Sequence, residues 1–245
     1  MHYDYPITRL PDYPILPSTA LLPTAVLFSG GLDSAVLLAE EAARGAVQPI
    51  YVSAGLVWEA NERDVIARLL ASPPFAGRTA TLATLSVDMR DVYAATHWAL
   101  EGQPPAYNTP DEDVYLPGRN IVLLSKAGVY CAAAGVHRIV IGTLAHNPFP
   151  DATPAFRTAM ANTLSLGLNH QIVVDAPYAD VEKADVIRRS IALRVPLELT
   201  LSCMNPPGGA RHCGLCSKCR ERHDAFLAAG VNDPTEYVDS RHVRV

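Results

Sequence analysis

Long apolar runs are missing from this 245-residue chain, and no stretch approaches the roughly 18–20 residues that cross a bilayer. No membrane partner is therefore expected. The opening residues, Met1 to Pro17, lack the basic start and apolar centre of a secretory signal, so a cytoplasmic location is expected. Positive charge is also scarce. Twenty Lys and Arg against 25 Asp and Glu leave a net charge of −5, and proteins that wrap nucleic acid usually carry a basic face. A nucleic-acid partner is not expected. Neither Gly-x-x-x-x-Gly-Lys-Ser/Thr nor Gly-x-Gly-x-x-Gly occurs, so the ordinary kinase and dinucleotide-binding readings lose their support. Internal repeats and low-complexity tracts are absent as well.

What is present is globular: 49% hydrophobic and 18% charged residues, enough for one α/β core with a small appendage. Residues 1–23, dense in proline, read as an extended N-terminal arm. Residues 24–200 read as the main α/β domain and 201–245 as a small C-terminal segment and tail. Within the domain, strands are expected at 25–28, 49–53, 81–87, 138–142 and 171–175. Helices are expected at 33–44, 58–70, 120–134, 153–166 and 180–193, with a loop at 102–117. Strands alternating with helices predict a parallel sheet with helices on both faces. Ligands in such sheets bind at the carboxyl ends of the strands.

Ser29-Gly30-Gly31-Leu32-Asp33-Ser34 follows the first strand and opens the first helix. Two glycines let the backbone turn tightly against an anion, and the helix start offers free N–H groups and a positive dipole end. Ser29 and Ser34 add hydroxyls. Asp33 is the odd member, since a carboxylate repels phosphate; it suits a Mg²⁺ ligand or a helix cap. Near the other end, Cys203, Cys213, Cys216 and Cys219 place four thiols in one short stretch. In a reducing compartment this favours metal over disulfide, and four soft ligands suit a closed, structural Zn²⁺ site ahead of the rival readings, an iron–sulfur cluster or a redox pair. Cys131, in an alanine-rich helix, reads as a buried small residue. His212 and His223 read as surface residues beside a site already filled. Arg211, Lys218, Arg220 and Arg222 read first as a solvated face offsetting thiolate charge, with contact to phosphate as the alternative.

The Ser29–Ser34 string resembles the signature of the PP-loop ATP pyrophosphatases, which split ATP between the α- and β-phosphates and leave AMP on an oxygen. That resemblance implies an adenine nucleotide α-hydrolase-like fold. Together with the four cysteines, and with Leu116–Asn120, Ile139–Gly142, Phe149-Pro150-Asp151 and Asp180–Ile187 between them, the chain resembles the 7-cyano-7-deazaguanine synthase family from Ala25 to Phe226. The resemblance implies an ATP-dependent ligase of queuosine precursor synthesis. Its substrates are a deazapurine carboxylate, 7-carboxy-7-deazaguanine, and ammonia. It implies a homodimer, with ATP, Mg²⁺ and Zn²⁺ as cofactors. Residue by residue, Ser29, Gly30, Gly31, Leu32, Asp33 and Ser34 would hold the nucleotide, while Asp33, Ser34, Arg119 and Lys183 would serve catalysis. Arg119 would fork onto a phosphate or carboxylate, with Asn120 as a candidate helix cap. Lys183 would neutralise pyrophosphate. His146, Asn147, Phe149 and Asp151 would face the acceptor, Phe149 by stacking and Asp151 by accepting N–H groups.

This chain departs from the family pattern in two places. Ser53-Ala54-Gly55-Leu56-Val57-Trp58 stands where the family carries Tyr-Gly-Gln-x-His, and Ala152, Thr153 and Ala155 stand for the family's Cys, Arg and Glu. Both touch the acceptor side and spare the phosphate loop. Two other readings stay open. One is a PP-loop enzyme that adenylates another carboxylate or nucleobase, as tRNA-thiolation enzymes do. The other is a nucleotide-binding module without activity.

Overall fold

The computed structural model describes residues 24–243; the expected N-terminal arm lies outside them. Five parallel strands form one sheet: β1 (Thr24–Leu27), β2 (Val47–Ser53), β3 (Ala83–Ser86), β4 (Arg138–Val140) and β5 (Val173–Asp175), in the order β3-β2-β1-β4-β5. The chain leaves β1 toward β2 on one side and returns to β4 on the other. The carboxyl end of β1 is therefore the switch point at which a crevice opens.

Side-chain alternation along the strands sorts the helices onto two faces. Val26, Tyr51 and Val140 point to one face. They pack with α1 (Leu32–Arg44), α2 (Glu59–Leu70), α6 (Lys183–Leu193) and α7 (Ser217–Ala229). Ala25, Ile50, Ile139 and Val174 point to the other, against α4 (Arg119–Ala134) and α5 (Pro154–Leu168). Cys131 is fully buried on this second face, as a small core residue. Pro49 sits inside β2, yet β3 pairs only from Ile50 onward. The missing proline donor therefore falls where β2 is still an edge.

The expected strands and helices appear with ends that coincide or shift by up to three residues. Among the described residues, two α-helices were not expected. α3 (Trp98–Glu101) is a single turn inside the region before the long loop. α7 buries Cys219, Arg222, His223 and Phe226 at helical spacing, but half of that stripe is polar and gives no apolar periodicity.

A third apolar cluster joins the cysteine segment to the stretch before α4. Met89, Tyr93, Val114 and Leu116 pack with Leu201, Met204 and the cysteines. Arg220 of α7 reinforces the junction, donating to the carbonyls of Tyr107 (3.0 Å) and Thr109 (2.6 Å) and pairing with Asp111 (2.6 Å). No helix among the described residues is long and apolar enough to cross a membrane.

Candidate active site and metal centre

A cavity of about 280 Å³ opens at the carboxyl ends of β1, β2 and β4. Its floor is the phosphate-type loop. Gly30 has φ +75°, a left-handed conformation open to glycine, and a Cβ there would meet Val65 Cγ2 at 2.7 Å. The loop is braced from below, where Leu201 N–H donates to Gly30 O at 2.9 Å. Gly31 is the N-cap of α1 and makes no side-chain cap bond. Ser34 Oγ donates to Gly31 O (3.1 Å), and Ala35 N–H makes the first helical bond, to the same oxygen. The N–H groups of Leu32, Asp33 and Ser34 precede that first bond and have no helical acceptor. Ser29, Gly31, Asp33 and Ser34 line the cavity, whereas the Leu32 side chain is buried in the core. Leu32 can therefore serve an anion only through its backbone.

Asp33 is no helix cap. Its Oδ2 pairs with Lys183 Nζ at 3.1 Å, and its Oδ1 is buried with no partner among the described residues. Lys183 is the first residue of α6 and also pairs with Glu221 of α7. Burial alone would lower the Lys183 ammonium's pKa. Asp33 and then Glu221 outweigh it and hold the ammonium above its ordinary range.

The opposite wall comes from the loop before α4 and the segment after β4. Arg119 begins α4 and lines the cavity, with its Nε buried and without a partner among the described residues. A guanidinium lacking a protein partner in a polar cleft is an anion site in waiting. Asn120 does not cap α4; Gly118 holds that position. Instead Asp151 Oδ2 accepts from Asn120 N–H (3.1 Å), and Asn120 Nδ2 donates to Asp151 O (3.0 Å). Asp151 thus spends one carboxylate oxygen tying the acceptor-side segment to the start of α4. Phe149 lines the cavity and stacks on Tyr115, with ring centroids 5.1 Å apart. Asn147 lies in the same wall and accepts from Phe149 N–H at 3.0 Å. His146 lies outside the wall. Its side chain is 83% exposed and reaches Glu182 at 3.0 Å.

Sequence reasoning did not single out Tyr51, Tyr115 or Thr143, which also line the cavity. Tyr51 is the most built of these: its hydroxyl donates to Glu62 Oε2 at 2.8 Å, and Trp58 Nε1 donates to the same carboxylate. Burial raises the Glu62 pKa against the opposing charge of Arg119. In the stretch that departs from the family pattern, Glu59 takes the Ala54 N–H (2.6 Å) and the Ser53 hydroxyl (2.5 Å), closing the end of β2.

The four cysteines converge. Their Sγ atoms all lie within 4.8 Å of one another, with Cys213–Cys219 at 3.8 Å and Cys216–Cys219 at 3.5 Å. Zn–S bonds of about 2.3 Å in a tetrahedron put sulfurs about 3.8 Å apart, so the cluster fits a closed four-thiolate metal site. Backbone N–H groups of Cys213, Gly214 and Leu215 point at the sulfurs from 3.3–3.4 Å and support thiolate charge.

The two histidines and one arginine here are not surface residues. His212 is fully buried: its Nε2 accepts from Ser202 N–H (3.0 Å) and its Nδ1 donates to Ala210 O (2.9 Å). Both nitrogens are used, so it is a neutral strut and not a ligand; burial, with the Arg222 charge, lowers its pKa to about 3. His223 is buried as well, beside Asp233 at 3.7 Å. Arg222 is fully buried. It donates to Thr200 Oγ1 (2.8 Å), Thr235 Oγ1 (2.6 Å) and Leu197 O (2.8 Å), which leaves it no part in a solvated basic face.

Comparison with known proteins bears on this pairing of a phosphate-type loop with a four-cysteine centre. The family model described as Queuosine biosynthesis protein QueC matches residues 24–230. The chain belongs to the QueC family. It is 34% identical to 7-cyano-7-deazaguanine synthase of Azoarcus sp. (strain BH72), over 88% of this chain and 97% of that one. It is 32% identical to the enzyme of the same name from Caldicellulosiruptor bescii, covering 86% and 96% of the two chains. It is 33% identical to the one from Methanothrix thermoacetophila, covering 86% and 96%. The QueC match spans the loop, Arg119, Lys183 and all four cysteines, so both centres lie within the shared region.

Proposed function

We propose that this chain is a 7-cyano-7-deazaguanine synthase, joining 7-carboxy-7-deazaguanine and ammonia at the expense of ATP. The observation that carries the proposal is one cavity with anion-seeking groups on facing walls. The N–H groups of the α1 start face it from below, and the Arg119 guanidinium, whose Nε has no partner among the described residues, faces it from the side. Family membership supplies the reaction; the cavity supplies a place for it.

Carboxylate oxygen leaves poorly, and AMP leaves well. Attack of the substrate carboxylate on the α-phosphorus of ATP gives an acyl adenylate and pyrophosphate. Ammonia displaces AMP to give the amide and a proton. Attack of the amide oxygen on the α-phosphorus of a second ATP releases a second pyrophosphate and one N–H proton, and loss of AMP with the other N–H proton leaves the nitrile. The chain's tasks are to hold the phosphates, align the attack and keep water from the adenylate. Ser29, Gly30, Gly31, Ser34 and the backbone of Leu32 would hold the phosphates. Arg119 would fork onto a phosphate or the substrate carboxylate, and Lys183 would offset charge on departing pyrophosphate. Phe149, on its Tyr115 support, would stack on the flat heterocycle. Asp151 would offer its remaining carboxylate oxygen to ring N–H groups, with Asn147 beside it. The free Asp33 Oδ1 fits a Mg²⁺ ligand, and bound magnesium would neutralise phosphate charge. The four cysteines would hold Zn²⁺ as a structural ion. On this reading the reaction would run in the cytoplasm and the enzyme would be a homodimer.

Purified protein mixed with ATP, magnesium, ammonium and the carboxy-deazaguanine should release two AMP per nitrile formed. A folded protein that makes neither would end the proposal. Asp33→Asn should abolish AMP release and keep the wild-type zinc content. Loss of zinc in that variant would contradict the separation of the two centres.

A further inference from the structure

We infer that Glu221 is a positioning residue for nucleotide binding: it anchors the Lys183 ammonium beside the phosphate loop, so that Asp33 is free to exchange that ammonium for magnesium. The inference rests on the adenylation reading above, since it concerns the same loop.

Lys183 has two anionic partners from opposite directions. Asp33 reaches its Nζ from the phosphate loop at 3.1 Å, and Glu221 reaches it from α7. The Lys183 side chain is only 14% exposed. An ammonium at that depth is costly unless paired. Were Asp33 its only partner, any metal drawing Asp33 away would strand a buried charge. Asp33 would then resist the exchange. Glu221 removes that obstacle, because the ammonium keeps one carboxylate whichever way Asp33 turns. Asp33 has lone pairs for a second partner, since no group among the described residues bonds its buried Oδ1.

Glu221 is suited to an anchor because it is not a free surface carboxylate. Its side chain is 21% exposed, and Lys218 takes its second oxygen. Asp33, Glu221, Lys183 and Lys218 carry two charges of each sign, so the set is balanced before a nucleotide arrives. α7 fixes its position. Cys216 is the N-cap of that helix, Cys219 lies in its first turn, and the neighbouring Arg222 is bolted to Leu197 and Thr200. The anchor therefore reaches the phosphate loop from the cysteine centre.

A simple structural ion pair would also place Glu221 here, and the test separates the two roles. The probe is α,β-methylene ATP, bound to the full-length, metal-loaded protein and followed by calorimetry across a magnesium titration. Glu221→Gln should weaken binding about tenfold at low magnesium, the worth of one charge-assisted hydrogen bond. The loss should vanish at saturating magnesium, where the metal outcompetes Lys183 for Asp33. Glu221→Asp, which keeps the charge but sits one methylene short, should fall between the two. In a Lys183→Met background, Glu221→Gln should change binding less than about twofold, because its only route to the nucleotide is gone. Equal loss at all magnesium concentrations, or the same loss in the Lys183→Met background, would overturn the inference. So would loss of zinc from Glu221→Gln, which would make Glu221 a support for the fold. A wild-type protein that does not bind the analogue at all would instead sink the adenylation reading itself.

Discussion

Gly30 shows how much one residue position can carry. Its φ of +75° is strained for any side chain, and an added Cβ would press on Val65 at 2.7 Å and Ile66 at 3.1 Å. α2 therefore limits the loop from behind, while Leu201 N–H holds its carbonyl at 2.9 Å. Gly30→Ala should cost about 2 kcal/mol, the sum of a left-handed L residue and a modest overpacking. It should also lift the loop off its support, so AMP release should fall more than tenfold while zinc stays bound. Thermal melting with a coupled AMP assay reads both. An alanine variant with wild-type turnover would show that the loop does not need this conformation. The loop and the cysteines were legible in the sequence because each is contiguous or nearly so. The Asp33–Lys183 pair was not, because its members are 150 residues apart and only the fold joins them. Lys183 could be suspected from its place at a helix start; Glu221, in a run of mixed charge, gave no sign.

At the scale of elements, the alternating strands and helices were legible because parallel strands buried on both faces read as short apolar runs. α7 was not. Its inward face carries Arg222 and His223 between Cys219 and Phe226, so the stripe that packs looks like a solvated one. Charge burial of this kind is visible only with its partners. Arg222 is satisfied by Leu197 O, by the Thr200 and Thr235 hydroxyls, and by the Phe226 ring at 5.4 Å. Burial lowers its pKa, yet the charge of Asp233 opposes that shift and the guanidinium remains charged. Arg222→Met removes the charge and its three donors, leaving the Leu197 carbonyl and the Thr200 hydroxyl to bond each other (2.7 Å) and taking the donor from the Thr235 hydroxyl. The expected loss is about 3 kcal/mol, or a fall in Tm of roughly 6–12 °C for a chain of this size. Denaturant unfolding checks the first figure and calorimetry the second. A variant as stable as wild type would mean that α7 is held by its apolar contacts and its cysteines alone.

At the scale of the whole molecule, the cysteine centre and the phosphate loop are mechanically one unit. The chain from Leu197 to Glu221 passes through both. Leu197 and Thr200 bond Arg222, Leu201 bonds Gly30, Cys203 to Cys219 gather the sulfurs, and Glu221 reaches Lys183. Metal binding at such a centre is coupled to folding, because four thiols crowded without an ion must share protons or separate. Cys213 shows the conflict: hydrogen bonds from Cys203 and its other sulfur neighbours pull its thiol far below the ordinary range. Removing the metal should therefore fray the start of α7, where Cys216 caps and Cys219 packs, and release both ties to the loop. Chelation, or Cys216→Ser, should lower Tm and also weaken α,β-methylene ATP binding by at least about tenfold, from loss of the two ties at about 1 kcal/mol each. Adding zinc back should restore both in the chelated protein and neither fully in Cys216→Ser. If metal removal lowers Tm but leaves nucleotide affinity untouched, the two centres fold as neighbours and the ties at Leu201 and Glu221 carry no load between them.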